Sequence, residues 1–190
     1  FTAIALLYSG GSSIQNNRLP AMINWTGETF KIGKFSITVG VIMVLLLYCI
    51  VGFALTQTAW GRHIFAVGDD IESARLSGVA SKRILLSVYT VAGLIYGFAA
   101  WIQIGRAFSA TANGIPDANL DSITAVVIGG TSLFGGRGGL IGSLLGALIV
   151  GSFTLGLSLA GVDQQWRLFA IGVLVIVAVS VDQWIRKVKA

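Results

Sequence analysis

Residues 37–56 read ITVGVIMVLLLYCIVGFALT, an uninterrupted stretch without a single charged side chain. A helix of this length rises about 30 Å, which matches the hydrocarbon thickness of a lipid bilayer. The composition of the whole chain agrees, since 55% of its 190 residues are hydrophobic and only 11% are charged. A soluble domain carries roughly 25% charged residues. The stretch therefore predicts a membrane-spanning helix, and the composition predicts an integral membrane protein.

Further apolar segments predict an all-α fold, a polytopic transmembrane helical bundle that forms one domain over residues 1–190. Residues 84–104 and 140–160 are each long enough to span a bilayer, and residues 168–181 form a shorter fourth candidate. Residues 1–8 look like the end of another span, so we expect the chain to be the carboxy-terminal part of a longer protein. Small residues spaced four apart let helices approach closely in lipid. They occur at Gly93 and Gly97, at Gly142 and Gly146, and at Ser152, Gly156 and Ala160.

The segment between the second and third spans, residues 122–134, reads SITAVVIGGTSLF and is too short to cross a bilayer as a helix. Short apolar segments broken by glycine are typical of discontinuous or re-entrant helices that line a transport pathway. The alternative is a buried linker helix. We predict a translocation path lined by residues with amide, hydroxyl or glycine character. These are Gln103, Thr124, Gly129, Gly130, Thr131 and Ser132.

The basic residues, which give the chain a net charge of +5, lie at the ends of the apolar segments. This placement is typical of membrane topology and argues against nucleic-acid binding. When the loop 60–83 is placed inside, eight Lys and Arg residues lie inside and five lie outside. The bias predicts a cytoplasmic loop at residues 60–83, a cytoplasmic carboxy terminus and an external loop at residues 9–35. Within that external loop we expect a short element around residues 22–25.

The chain offers little chemistry for catalysis or for metal binding. Cys49 is its single cysteine and His63 its single histidine, so neither a disulfide framework nor a metal-ligand cluster is expected. No nucleophile–base pair is visible in the sequence either. We expect no enzymatic activity in this chain, and no metal or other cofactor.

The loop 60–83 reads WGRHIFAVGDDIESARLSGVASKR and predicts a short capped helix. Asp69 followed by Glu72 resembles a capping box, and Gly78 suits a left-handed residue that ends a helix. A helix over residues 71–77 follows. One alternative is an amphipathic element resting on lipid headgroups, but its acidic residues would be repelled by an anionic inner leaflet. A helix that docks onto a soluble partner fits better.

Four stretches of the chain resemble the permeases of bacterial sugar importers of the ATP-binding-cassette type, which carry ribose, xylose and fructose. The loop contributes GRHIFAVGDDIESARLSGV (61–79), and the broken segment contributes ITAVVIGGTSLFGGRGG (123–139). The third and fourth are GSLLGALIVGSFTLGL (142–157) and the terminal DQWIRKV (182–188). The chain is most similar to the fructose-type branch, in which GDD at residues 68–70 replaces the commoner GGN.

The resemblance implies a role for the loop and a set of partners. A helix at residues 69–78 would dock into a groove on a cytoplasmic ATPase subunit, which would hydrolyse the ATP. A second permease copy would complete a homodimer, a periplasmic sugar-binding protein would deliver a monosaccharide, and lipid of the inner membrane would surround the assembly. The residues implied in coupling to the ATPase are Gly68, Asp69, Asp70, Glu72, Ala74, Arg75 and Gly78.

Two other functions stay open on the sequence alone. An ion-coupled secondary transporter usually relies on acidic or histidine side chains within the bilayer, and none occurs within the predicted spans. Sodium coupling through unwound backbone would need no such residue. An ATP-driven permease for an amino acid or another small solute would have the same architecture. The energy source and the transported solute distinguish these possibilities.

Overall fold

The computed structural model describes residues 2–15, 20–32, 35–112, 114, 118–132 and 135–189. Helices dominate this part of the chain. They are α1 (Thr2–Ser9), α2 (Ala21–Asn24), α3 (Val39–Gln57), α4 (Ala59–Asp69), α5 (Ile71–Leu76), α6 (Ser81–Ala107), α7 (Ala118–Ile128), α8 (Leu140–Leu159) and α9 (Gln164–Lys189). Four short strands are β1 (Ile14–Gln15), β2 (Thr29–Ile32), β3 (Phe35–Thr38) and β4 (Ser109–Ala110).

Three helices, α3, α6 and α8, are long and apolar enough to cross a membrane. They contain 19, 27 and 20 residues and coincide with the three full spans predicted from the sequence. The predicted fourth span lies within α9, whose apolar part in the described chain, Gln164–Val177, is shorter than the other three. The prediction of an all-α polytopic membrane protein is confirmed.

The surface of these helices is apolar, as a lipid environment requires. Leu46 is 57% exposed, Phe53 is 66% exposed and Leu94 is 71% exposed. Exposed side chains of this size on a soluble protein would form an aggregation-prone patch far larger than monomers tolerate. Their outward placement is therefore consistent with helices surrounded by lipid chains.

By its internal contacts the chain divides into two compact units. The first comprises Phe1–Ile64 and Ala80–Ile115, and the second comprises Phe65–Val79 and Pro116–Ala190. In the first unit, a 3₁₀ turn (Trp25–Gly27) that follows α2 packs on the carboxy-terminal half of α6. Thr26 is fully buried there, and its hydroxyl lies 3.2 Å from the carbonyl oxygen of Ile23 and 3.4 Å from that of Trp101.

The segment 9–35, expected to be an external loop, contains helix and strand among its described residues. The short element predicted around residues 22–25 is present as α2 and the 3₁₀ turn. The two antiparallel strand pairs, β1 with β4 and β2 with β3, were not predicted. Strands of two to four residues offer too little alternation to be recognised in a sequence.

In the second unit, α7 packs along the first half of α8 through small residues. A side chain on Gly129 would lie 2.5 Å from the backbone carbonyl carbon of Gly142, and one on Gly146 would lie 2.8 Å from the backbone nitrogen of Gly129. The small-residue face predicted at Gly142 and Gly146 thus serves this helix pair. Around Gly93 and Gly97, no described atom outside the backbone of α6 lies within 4 Å of the position that a Cβ would take. The packing role of that face stays a prediction.

Helix α7 differs from its sequence-based prediction at both ends. The apolar segment was expected over residues 122–134, whereas the helix begins at Ala118 and ends at Ile128. Its polar first turn, which includes Asn119 and Asp121, was not recognised as helical because it lacks apolar periodicity. The eleven-residue helix is about 16 Å long, so it is too short to span a bilayer.

Candidate coupling site

The helix predicted within the loop 60–83 is present as α5, and a carboxylate caps its first turn. Oδ1 of Asp70 accepts hydrogen bonds from the backbone N–H of Glu72 at 2.9 Å and of Ser73 at 3.2 Å. The Ser73 hydroxyl donates to Oδ2 of the same carboxylate at 2.7 Å. The prediction that Asp69 caps the helix is wrong by one residue, because α4 continues through Asp69 and the backbone becomes extended only at Asp70.

The same hydrogen bonds keep the cap ionised. The hydrogen bond from the Ser73 hydroxyl, together with those from the backbone N–H of Ser73 and Glu72, lowers the pKa of Asp70 from its ordinary value of 3.8. Asp70 therefore carries a negative charge at neutral pH. That charge lies at the N-terminal end of α5, where the helix dipole favours an anion, and Arg75 lies in the last turn, where it favours a cation.

Gly78 ends α5 in the way the sequence predicts. Its φ is +83°, in the left-handed region that glycine adopts without steric cost. The backbone N–H of Gly78 donates to the carbonyl of Arg75, and that of Val79 donates to the carbonyl of Ala74, both at 3.0 Å. This pair of hydrogen bonds is the Schellman motif. Helix α5 is thus closed at both ends by specific hydrogen bonds, although it has only six residues.

One side of α5 is buried and the rest is open. Ala74 is 5% exposed, whereas Leu76 is 88% exposed and Ile71 is 49% exposed. Glu72, Ser73 and Arg75 are exposed as well. Ala74, named above among the residues implied in coupling to the ATPase, packs within this chain. The open surface of α5 combines two apolar side chains with an acidic and a basic one.

The residues just before α5 lie against the Gly-rich segment after α7, residues 129–139, which we term the glycine loop. A side chain on Gly68 would come within 2.9 Å of the backbone nitrogen of Gly136. One on Gly136 would come within 2.8 Å of the Cα of Asp69 and 2.7 Å of its Oδ1, and one on Gly135 would meet the carbonyl oxygen of Gly68. The backbone of Gly68 and Asp69 is therefore in direct contact with that of Gly135 and Gly136. Only glycine allows so close an approach, because a side chain would clash.

Helix α4 was read as part of a loop and is the main element missed in this region. Its start is capped by Thr58, whose Oγ1 accepts a hydrogen bond from the backbone N–H of Gly61 at 3.3 Å. The indole Nε1 of Trp60 donates to the hydroxyl of Ser87 on α6 at 2.8 Å. Thr58 was an available signal for the start of α4, because threonine is a preferred N-cap residue. The segment was interpreted as a loop because it connects two predicted spans.

The residues predicted to line a path belong to both compact units. Gln103 lies half-buried in the first unit, and all the others belong to the second. Thr124 is fully buried, and its hydroxyl donates to the carbonyl of Leu120 at 2.6 Å within α7. The proton of this hydroxyl is therefore bound inside its own helix, and the role of Thr124 in a path stays a prediction.

The remaining predicted path residues belong to the glycine loop. Gly129 packs against Gly142, while Gly130 is exposed and has a φ of +80°. Oγ1 of Thr131 lies 3.3 Å from Oγ of Ser143, the hydroxyls sharing one hydrogen bond. The buried Ser132 accepts a backbone hydrogen bond from Gly135 and donates one to the carbonyl of Arg137. Within the described part of the loop, Gly135 and Gly136 lie next to Gly68 and Asp69.

Among the described residues, no three His, Cys, Asp or Glu side chains lie close enough together to hold a metal ion. The chemistry of this region consists of backbone hydrogen bonds, helix caps and close glycine contacts.

The sequence matches a family described as the permease component of branched-chain amino acid transport systems over residues 1–179. It is 50% identical to the fructose import permease protein of Rhizobium meliloti over 187 residues, 97% of this chain and 52% of that protein. It is 35% identical to the ribose import permease protein of Bacillus subtilis (strain 168), over 96% of this chain and 56% of that protein.

A third relative is the xylose transport system permease protein of Escherichia coli (strain K12), with 39% identity over 68% of this chain and 33% of that protein. The chain spans about half the length of the first two relatives. No solved structure matches it.

Proposed function

The chain belongs to the family of permease components of the branched-chain amino acid transport type, and from this we propose that it forms the membrane path of an ATP-binding-cassette importer for a monosaccharide. It is a multi-pass protein of the bacterial inner membrane, with three helices apolar enough to span the bilayer. Hydrolysis of ATP would take place on a separate cytoplasmic subunit, since this chain is a transport component.

The names of the relatives support a sugar as the transported solute. Fructose, ribose and xylose are the solutes of the three relatives compared, and identity is highest, at 50%, with the fructose permease. All three are neutral molecules rich in hydroxyl groups. Helices α3 and α8 contain no charged residue, and the charged residues of α6 lie at its ends. Membrane helices without internal charges suit the transport of a neutral solute.

The observation that carries the ATP-driven part of the proposal is α5. A connection between two spans needs no ordered helix, yet this one is capped by Asp70 at its start and by the Gly78 motif at its end. Its open surface presents Ile71, Leu76 and charges of both signs. We assign this surface to docking on the cytoplasmic ATPase, with Glu72 and Arg75 setting the orientation.

The contact between the end of α4 and the glycine loop supplies a route for the motion. When the ATPase subunits close, α5 would move with them, and Gly68 and Asp69 would move with α5. Because these residues lie against Gly135 and Gly136, the glycine loop and α7 would follow. Thr131 and Ser132 in that loop would then alter the inner end of the path. We expect Gln103 to line the path from α6.

The complete transporter would contain partners beyond this chain. We propose a homodimer of permease subunits, a cytoplasmic ATPase subunit for each, and a periplasmic sugar-binding protein. Lipid would cover the exposed apolar faces of α3, α6 and α8, as the exposure of Leu46, Phe53 and Leu94 requires.

The test is uptake of radiolabelled D-fructose, D-ribose, D-xylose and L-leucine by proteoliposomes that contain the full-length permease, its ATPase and its binding protein. We expect uptake of at least one sugar that requires ATP inside the vesicles and continues in the presence of a protonophore and without a sodium gradient. Accumulation of leucine alone would overturn the sugar assignment. Sugar uptake that stops when the ion gradients are removed, with ATP present, would identify a secondary transporter instead.

A further inference from the structure

The second compact unit contains a groove of about 520 Å³ formed by α7, α8 and the start of α9. This volume is within the roughly 300–1,000 Å³ typical of small-molecule sites. Its polar lining consists of Asp121 and Ser122 from α7, Thr154 and Ser158 from α8, and Arg167 from α9. None of these residues was singled out by sequence reasoning, because they come from three separate helices.

We propose that this groove is a binding site for a neutral polyol, the solute on its way through the permease; the proposal rests on the function proposed above. The charged lining residues are one carboxylate, Asp121, and one guanidinium, Arg167, so their formal charges cancel. A free anion or cation would meet a group of its own sign in the groove. A neutral ligand with several hydroxyls can instead donate to the carboxylate and accept from the guanidinium.

The hydroxyl groups of the lining are arranged to accept further hydrogen bonds. Ser122 donates its proton to the carbonyl of Ala118 at 2.7 Å, and Thr154 donates to that of Val150 at 2.8 Å. A hydroxyl whose proton is bound within its own helix still has lone pairs that can accept. Sugar hydroxyls are donors, so these two side chains complement them.

Only part of the Arg167 guanidinium is available to a solute. Its Nε is buried from solvent and has no hydrogen-bond partner among the described residues, so a solute in the groove would accept from the terminal nitrogens of the group.

The rest of the lining is apolar. It consists of Ala118 and Ala125 on α7 and of Ala147, Val150, Gly151 and Leu155 on α8. This apolar surface can pack against the C–H faces of a sugar ring. Polar groups on the rim and apolar ones beside them are the usual composition of a ligand site.

The position of the groove relates it to the coupling site. Asp121 and Ser122 lie in the first half of α7, whereas the glycine loop begins at its other end. Asp121 and Gly129 are about 12 Å apart along the helix axis. A shift of the glycine loop by the residues before α5 would therefore move one wall of the groove against α8.

The first test removes a hydroxyl without changing the shape of its side chain. In the full transporter, Thr154→Val should lower the uptake rate of the transported sugar about fivefold, the effect of one lost hydrogen bond. Thr90→Val is the matched control, because Thr90 on α6 also donates to a carbonyl of its own helix at 2.8 Å but lies outside the groove. Equal uptake by the two variants would overturn the role of Thr154.

The second test measures occupancy of the groove directly. In a Cys49→Ala background of the full transporter, Ser158→Cys should react with a membrane-impermeant maleimide, and D-fructose, D-ribose or D-xylose should slow that reaction during turnover. Asp163→Cys, in the exposed connection after α8, should be labelled at the same rate with or without sugar.

The two measurements separate the groove from the proposed function. If a sugar is transported but none of the three protects Ser158→Cys, the groove is not the polyol site, and the importer function stands. If L-leucine alone is transported and alone protects Ser158→Cys, both the sugar assignment and the polyol class are wrong. Equal protection of the Asp163→Cys control would indicate a general conformational change and would also overturn the site.

Discussion

At the scale of single residues, Asp69 and Asp70 have different contacts although they are neighbours. The carboxylate of Asp70 accepts three hydrogen bonds in the first turn of α5, whereas Asp69 lies against Gly136. The sequence placed the cap at Asp69, because Asp69 with Glu72 has the spacing of a capping box, whereas the structure places it at Asp70. Gly78 was assigned correctly, because few other residues adopt its conformation.

The cap at Asp70 can be tested with a substitution that keeps its shape. Asp70→Ala should destabilise α5, whereas Asp70→Asn should retain most of the cap, because asparagine accepts the same backbone hydrogen bonds. We expect Asp70→Ala to lower the sugar imported per ATP hydrolysed by the full transporter and Asp70→Asn to stay near the wild type. An Asp70→Asn variant as defective as Asp70→Ala would show that the charge, rather than the cap, matters.

The pH dependence of this group has a defined sign. Because the pKa of Asp70 is lower in the folded protein than its ordinary value of 3.8, the ionised cap contributes its full stability above that value. The contribution is lost only as the pH falls through the lowered pKa. The helical content of α5, followed by amide hydrogen exchange, should therefore be constant through the mildly acidic range. A loss of protection that begins near neutral pH would contradict this assignment.

Gly136 offers a test of the contact between the loop before α5 and the glycine loop. Gly136→Ala would place a methyl group against Asp69 at a φ of +70°, which costs roughly 1–2 kcal/mol in strain alone. ATP hydrolysis by the full transporter should persist while sugar uptake falls. Gly139→Ala is the control, because that glycine has open space around it and an extended backbone. Normal uptake by Gly136→Ala would exclude this contact from the coupling route.

At the scale of elements, the sequence predicted the positions of α3, α6 and α8 closely, because long apolar segments with few charges are readily interpreted as membrane-spanning helices. Helix α4 was missed because it lies in the charged segment between two predicted spans, which was interpreted as a loop. In the structure its two glycines are sites of close approach, Gly61 to the carbonyl of Leu55 and Gly68 to Gly136. A sequence does not distinguish a glycine that ends a helix from one that lets another backbone approach closely. The distinction requires knowing which segment packs against the glycine.

The packing of α7 on α8 gives a prediction about stability. Gly146→Leu would force a side chain into the space occupied by the backbone of Ala125 and Gly129, and overpacking of this kind costs about 1–3 kcal/mol or more. The melting temperature of the purified protein in detergent should fall. Gly156→Leu on the same helix is the control, since nothing lies within 4 Å of that position among the described residues. Equal melting temperatures would mean that α7 and α8 do not pack in this way.

At the scale of the whole molecule, exposed apolar side chains define where the protein resides. Leu46 in α3 and Met22 in α2 are both strongly exposed, but only Leu46 lies within a membrane-spanning helix. Leu46→Lys should cost about 2.5–3.5 kcal/mol of insertion energy if it lies near the bilayer centre. The fraction of full-length protein that resists alkaline extraction from membranes should fall, while Met22→Lys should behave as the wild type. Similar extraction of both variants would contradict the assignment of α3.

The candidate sites show where sequence reasoning ends. The loop 60–83 could be interpreted because the residues of α5 are contiguous. The groove could not be found, because Asp121 and Arg167 lie on different helices and each alone resembles an ordinary residue near the end of a helix. Proximity between distant parts of the chain is the information that only the fold adds.

The contact of Gly68 with Gly135 and Gly136 has a mechanical consequence. Side chains that touch can change rotamer and so absorb part of a displacement before their backbones move. Here the peptide groups themselves meet, and they have no rotamers to change. This contact is therefore stiff under compression, so a displacement of one segment is transmitted to the other with little loss.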